Sequence, residues 1–403
     1  MERDSSKEGD GRIAKRVKRR VLARPHSFFA VTAPGLEGTC RDELAQLALS
    51  DPQLRIVEGG VAFRGSLPDL YLANLKLRTA SRILMRIARF EARHFSSLER
   101  TISTLPWELY LPSTSDLSFR VASHRSQLYH QRAIMERFEH GIASRMERSG
   151  IRGDQMTGER PQQGVYVRVV ADRFTVSVDS SGALLHKRGL KAEKAYAPLR
   201  ATLAAAVLRW ARYEGSEVLL DPMCGTGVFS LEAAMVACNI PAGWYRDFAF
   251  FRWPSFRPGQ WNHLRRQCRE DLRTIKGPCV FAADIDPEVC RMLGELTQAY
   301  GLKQAVSVRR ADFLSLNPAE FTERRGLVVL NPPYGLRLAT PPEAERLFGA
   351  FCERLHEKYK GWRLALMVPQ GGWEGRVPLV GKWSLHPIFH GGLRLNLLVG
   401  KVG

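Results

Sequence analysis

Four short strand-like runs in the second half of the 403-residue chain, each ending on a polar residue, constrain the fold more than any other feature. Val218-Leu219-Leu220 ends on Asp221, Val280-Phe281-Ala282-Ala283 on Asp284, Val306 to Ala311 on Asp312, and Leu327-Val328-Val329-Leu330 on Asn331. The first, second and fourth runs are short and apolar enough to suit strands buried on both faces, the third carries Ser307, Arg309 and Arg310, and helical periods lie between them. That alternation is the pattern of a parallel sheet with helices on both sides. A helix with Leu199, Leu203, Ala206, Val207 and Trp210 on one face leads into it, and strands and helices are expected to alternate to the C-terminus. Such sheets bind ligands outside the carboxyl ends of their strands, so the four polar residues are candidates for a site.

The first strand runs into Pro222-Met223-Cys224-Gly225-Thr226-Gly227 before a helix from Val228 to Ala237. Glycines there let the backbone approach a ligand that a Cβ would repel. The loop lacks the third glycine of the dinucleotide fingerprint, and Asp221 would repel a pyrophosphate, so a cationic sulfonium with an amino-acid moiety fits better. Asp284 stands where a carboxylate accepts from both ribose hydroxyls. Asp286, followed by Pro287 and Glu288, reads as a helix N-cap. Asp312 is suited to receive an adenine amino group, with Phe313 packing the ring.

Asn331-Pro332-Pro333-Tyr334 leaves the fourth strand abruptly, and its two prolines stiffen a loop whose carbonyls stay free to accept. An exocyclic base amine is a poor nucleophile because its lone pair is delocalised into the ring. The Asn331 amide oxygen and the Pro332 carbonyl can accept both N–H groups and aim the lone pair at a methyl group, while Tyr334 stacks on the base. The base must be unpaired or extruded to lie there.

The charge balance points to the partner. Sixty Lys and Arg against forty-one Asp and Glu give a formal net charge of +19, the electrostatic footprint of a polyphosphate binder. Seven Cys occur singly, with no CxxC pair and no spacing that suggests zinc, and read as reduced cytosolic thiols. No apolar stretch is long enough to span a membrane. Residues 1–26 have no apolar h-region and read as a basic, disordered arm. Order is expected from a strand at Ser27 to Thr32, followed by a helix from Leu36 to Leu49. A strand with a Gly-Gly turn or bulge at Val57 to Phe63, a helix from Leu67 to Ala80, and a hairpin at Tyr166 to Val178 follow.

With these residues in view, the chain resembles the THUMP-domain class I RNA methyltransferases, most closely the bacterial guanine-N2 methyltransferases of large-subunit ribosomal RNA. The resemblance runs from residue 27 to 403. It rests on Gly59-Gly60-Val61-Ala62-Phe63-Arg64-Gly65, Asn74 to Arg82, Asp179-Ser180-Ser181-Gly182, Asp221 to Gly227 and Asn331 to Leu338, and even the aromatic insertion Asn239 to Cys268 looks like the family. It implies a Rossmann-like class I methyltransferase domain over 193–403. An α+β region precedes it, made of a ferredoxin-like unit over 27–95 and a THUMP RNA-binding domain over 96–192. S-adenosyl-L-methionine is the implied cofactor, bound by Asp221, Cys224, Gly225, Thr226, Gly227, Asp284, Asp312 and Phe313. The implied reaction methylates N2 of a guanosine in 23S ribosomal RNA, in the cytoplasm and without a metal. The alternatives are a transfer-RNA guanine-N2 methyltransferase and, from another class, a noncatalytic ribosome-assembly factor. His124, Arg125, Lys187, Arg188 and Lys191 are basic enough to contact RNA phosphates.

Overall fold

The computed structural model describes residues 11–112, 117–151, 163–190, 199–332, 341–390 and 392–403. The chain divides into two units, Met1–Ala33 with Cys40–Leu185 and Arg246–Arg266, and Pro34–Thr39 with His186–Tyr245 and Gln267–Gly403. None of the described helices is long and apolar enough to cross a membrane.

The first unit is built on seven strands: β1 (His26–Val31), β2 (Asp51–Val57), β3 (Gly60–Gly65), β4 (Arg82–Glu91), β5 (Leu117–His124), β6 (Gln163–Val170) and β7 (Arg173–Asp179). Their order is β2-β3-β1-β4-β7-β6-β5. β4 pairs with β7 along its length, so strands assigned from sequence to a 27–95 and a 96–192 module form one continuous sheet. Alternation sets its faces: Phe28, Ala30, Phe63, Val165, Val167, Phe174 and Val176 are buried, while Ser27, Phe29, Arg64, Tyr166, Arg168 and Thr175 lie on the other face.

Two turns fix the register. The β2–β3 hairpin turns through Glu58-Gly59, and a Cβ on Gly60, the first residue of β3, would sit 2.0 Å from the Ala30 carbonyl oxygen. The β6–β7 hairpin turns through Ala171 and Asp172, both at positive φ, as a two-residue turn matched to strand twist requires. Helix Leu67–Lys76 starts with a capping box in which Asp69 accepts from the Ser66 N–H and hydroxyl.

Two regions differ from the sequence reading. Residues 11–22 are helical and do not form an unstructured arm: Val17 and Val21, one helical turn apart, are buried, and Arg16 pairs with the fully buried Glu108. The aromatic insertion belongs with the first unit. Phe250 stacks on Tyr71 at 4.6 Å, Trp261 meets Tyr71 edge-on, and the Trp253 indole donates to Gln163 Oε1 at 2.9 Å.

The second unit carries β8 (Leu219–Asp221), β9 (Val280–Asp284), β10 (Val306–Arg310), β11 (Leu327–Leu330), β12 (Arg363–Pro369), β13 (Leu379–His390) and β14 (Leu393–Val402) in the order β10-β9-β8-β11-β12-β14-β13. β8 to β12 are parallel, and apolar clusters cover both faces of β8, β9, β11 and β12, as their near-continuous apolar runs demand, while the edge strand β10 carries Ser307, Arg309 and Arg310. The expected alternation stops at β12, because the last 25 residues form an antiparallel hairpin with no intervening helix.

Candidate active site

The sheet reverses direction at β8. The chain moves outward through β9 and β10, then returns to the other side of β8 for β11 and β12, so the carboxyl ends of β8 and β11 flank the switch point where doubly wound sheets bind ligands. The register sets Leu327 and Val328 of β11 beside Leu219 and Leu220 of β8. Asn331, half-buried, therefore leaves the sheet next to the start of the glycine loop, followed by buried Pro332. Pro333 and Tyr334 lie outside the described residues.

The loop is anchored from behind. Cys224 N–H donates to the Ala283 carbonyl at 2.9 Å and Gly225 N–H to Asp284 Oδ2 at 2.8 Å. Gly227, at φ +75°, is the N-cap of helix Val228–Ala237, and a Cβ there would meet Leu293 Cδ1 at 2.3 Å. Gly225, at φ +49°, has no atom of the described residues within 4 Å of its Cβ position. Thr226, between them, is half-buried.

Asp221 is 1% exposed and accepts from the Ser230 hydroxyl at 2.7 Å. It also accepts from the Ser230 backbone, supplying the N-terminal cap that a glycine N-cap cannot. Burial raises its carboxyl to about 7, with the nearby charge of Asp284 adding to the effect. Burial likewise pushes the Cys224 thiol up, beside Asp221 and Asp284, so it remains a protonated loop residue. Ser230, which sequence reasoning missed, is visible only as a hydroxyl in the first turn after a glycine N-cap.

Asp284 is half-buried at the end of β9, where its two oxygens accept from Gly225 N–H and, at 3.1 Å, Asp286 N–H. A carboxylate offers about four acceptor sites, so it retains capacity for two hydroxyl donors. Asp286 caps helix Pro287–Ala299 through Glu288 N–H at 2.8 Å, as its sequence context indicates. Asp312 is exposed after β10 and accepts from Leu314 N–H at 3.1 Å. Phe313 has a ring that is 2% exposed and packs against Phe351 and Tyr359 in the core.

Of the basic residues, His124 and Arg125 are exposed at the end of β5, with Arg125 at φ +49°. Lys187 is exposed in the second unit. Arg188 corrects the sequence reading: it is 4% exposed and pairs at 2.6 Å with Glu232, itself 2% exposed on helix Val228–Ala237, so the guanidinium braces the fold and does not face solvent. Lys191 lies outside the described residues. Among the described residues no group of three or more His, Cys, Asp or Glu is placed to hold a metal ion.

Residues 188–372, which contain the glycine loop, Asp284, Asp312 and Asn331, match the family model described as RMKL-like, methyltransferase domain. This stretch is therefore similar to the RMKL-like methyltransferase domains. Residues 27–84 match the RlmL ferredoxin-like domain, so this methyltransferase domain follows a ferredoxin-like one, as in the fold above. The ribosomal RNA large subunit methyltransferase K/L of Syntrophotalea carbinolica is 30% identical over 382 residues, 93% of this chain and 53% of that protein. The chain thus spans about half the length of that relative, and of the Vibrio campbellii protein of the same name. Among solved structures, SMU.472 in complex with SAH superposes with a TM-score of 0.81 at 26% identity, over 94% of this chain and 99% of that one. A possible methylase from Clostridium difficile 630 gives the same TM-score and coverage at 24% identity and supports the fold alone.

Proposed function

We propose that the chain is an RNA methyltransferase that transfers the methyl of S-adenosyl-L-methionine to N2 of a guanosine, with 23S ribosomal RNA as substrate and the cytoplasm as its setting. The carrying observation is the placement of Asn331, at the sheet's switch point, beside a glycine loop in which Gly225 has no atom of the described residues within 4 Å of its Cβ position. The residues fit the cofactor: Asp284 retains acceptor sites for a ribose, and two acids stand behind the loop. Complexation of SMU.472 with SAH supports the same reading.

S-adenosylmethionine supplies an electrophilic methyl on a sulfonium. Asp284 orients the ribose. Asn331 Oδ1 and the Pro332 carbonyl accept the two amine hydrogens of guanine, drawing N2 out of conjugation and aiming its lone pair at the methyl. The methyl that the bound cofactor would supply would replace one hydrogen on N2, and the displaced proton would pass to solvent, with Asn331 and Pro332 holding the amine in place. Asp312 meets the adenine amino group, Tyr334 stacks on the target base, and residues 96–192 act as a THUMP module in RNA binding, with His124, Arg125, Lys187 and Lys191 as contacts.

The test is nucleoside mass spectrometry of 23S and transfer RNA from cells with and without the gene. Loss of N2-methylguanosine from 23S RNA supports the proposal. Loss confined to transfer RNA would move the substrate class, and unchanged nucleosides would refute the enzyme reading.

A further inference from the structure

The open face of the first unit's sheet is lined with arginine. Paired positions run straight across it from Arg64 on β3 through Ser27, Arg86, Ser177 and Tyr166 to Arg120 on β5. Residues opposite one another in adjacent strands share a face, so this row presents three guanidiniums over five strand spacings, about 24 Å. A second row, Arg89, Thr175 and Arg168, lies beside it, and Arg55 projects from the edge strand β2. Arg55, Arg64, Arg89, Arg120 and Arg168 are exposed, and Arg86 is half-buried.

Acids do not neutralise the centre of this face. Arg168 pairs with Glu58 at 3.0 Å at the rim, and buried Asp179 is taken by Arg82. Arg55, Arg86, Arg89 and Arg120 have no acidic partner among the described residues. Burial, then the charges of Arg89, Arg55 and Arg168, push the Arg86 guanidinium down to about 10. Folding has gathered like charges here at an electrostatic cost, which an anion would relieve. Aromatic rings lie among them: Arg86 stands 4.8 Å over Phe29, and Arg82 5.3 Å over Tyr166.

We infer that this face, spanning strands of both the ferredoxin-like domain and the following region, is a binding surface for an RNA strand, with phosphates on Arg55, Arg86, Arg89 and Arg120. Guanidiniums at strand spacings suit a polyphosphate chain, and rings between them suit bases. The inference rests on the RNA reading above, but relocates the main grip from the loop residues His124 and Arg125 to the sheet.

The experiment uses the full chain, a fluorescein-labelled 20-nucleotide single-stranded RNA at several salt concentrations, and calorimetry with S-adenosylhomocysteine as a check on the other unit. The variant R55Q/R89Q/R120Q changes only exposed side chains. It should lose about tenfold or more in RNA affinity at 0.1 M salt and show a log-log salt slope shallower by about two, with cofactor affinity unchanged. The R55K/R89K/R120K variant, which keeps the charge, should retain most of the binding. If the glutamine variant binds as the unmodified protein does, the surface is misassigned while the RNA reading stands. If the unmodified protein takes the cofactor but binds no RNA, or prefers phosphatidylserine vesicles, the RNA reading fails and this inference with it.

Discussion

Ser230 Oγ donates a 2.7 Å hydrogen bond to Asp221, whose carboxylate is 1% exposed at the end of β8. This contact ties the first strand to the helix after the glycine loop and so sets the loop's geometry. It also makes stability depend on pH. Burial raises the folded-state value of Asp221 to about 7, above its unfolded value, so its stabilising protonation is complete below about pH 4 and lost as pH rises through about 7. This contribution should fall by up to a few kcal/mol between pH 5 and 8.5, and Asp221→Asn should flatten that part of the profile. Urea unfolding at a series of pH values measures it. A variant with the same slope as the unmodified protein would exclude Asp221 as the cause.

The two loop glycines should separate folding from binding. Gly227→Ala places a Cβ 2.3 Å from Leu293 Cδ1 at φ +75°, and should destabilise the protein by about 2 kcal/mol or more. Gly225→Ala meets no atom of the described residues within 4 Å, so its stability cost should be only the backbone cost, about 1 kcal/mol, while the added methyl intrudes on the proposed cofactor space and weakens binding. Thermal melts with calorimetry on both variants check this. Equal cofactor affinity for Gly225→Ala and the unmodified protein would place the ligand elsewhere.

Arg188 should behave as a structural residue. Arg188→Ala leaves Glu232 buried without its partner and should cost about 3 to 5 kcal/mol, whereas Arg188→Met with Glu232→Leu should recover much of that loss. RNA affinity of the folded double variant should match the unmodified protein. A loss of affinity with stability intact would return Arg188 to the RNA interface.

Asp284→Ala removes an acceptor that also holds Gly225 N–H at 2.8 Å. Cofactor binding should weaken by about 1 to 3 kcal/mol, as for hydrogen bonds to a charged acceptor. Unchanged affinity by calorimetry would remove Asp284 from the site.

The methyltransferase half was legible because its signals are local: apolar runs too short for helices, acids at their ends, and a glycine loop before a helix mark the edge at the switch point without tertiary information. What stayed hidden depends on partners far apart in sequence. Arg188 looks like a surface cation until Glu232, forty-four residues on, buries it. Phe313 follows a polar strand end, and its partners Phe351 and Tyr359 stand far along the chain. The basic arm reads as unstructured by composition, but Val17 and Val21 at one-turn spacing suffice to bury a helical face. The arginines of the open sheet face are scattered from residue 55 to 168, and only strand register aligns them.

The central claim is that Asn331 accepts a hydrogen from the target amine, and single-turnover methyl transfer to undermethylated RNA tests it most directly. Asn331→Ala should lower the rate by about 100-fold or more, as for deletion of one preorganised electrostatic contact, with cofactor affinity little changed. A near-normal rate in a folded Asn331→Ala variant that still binds cofactor would contradict the mechanism.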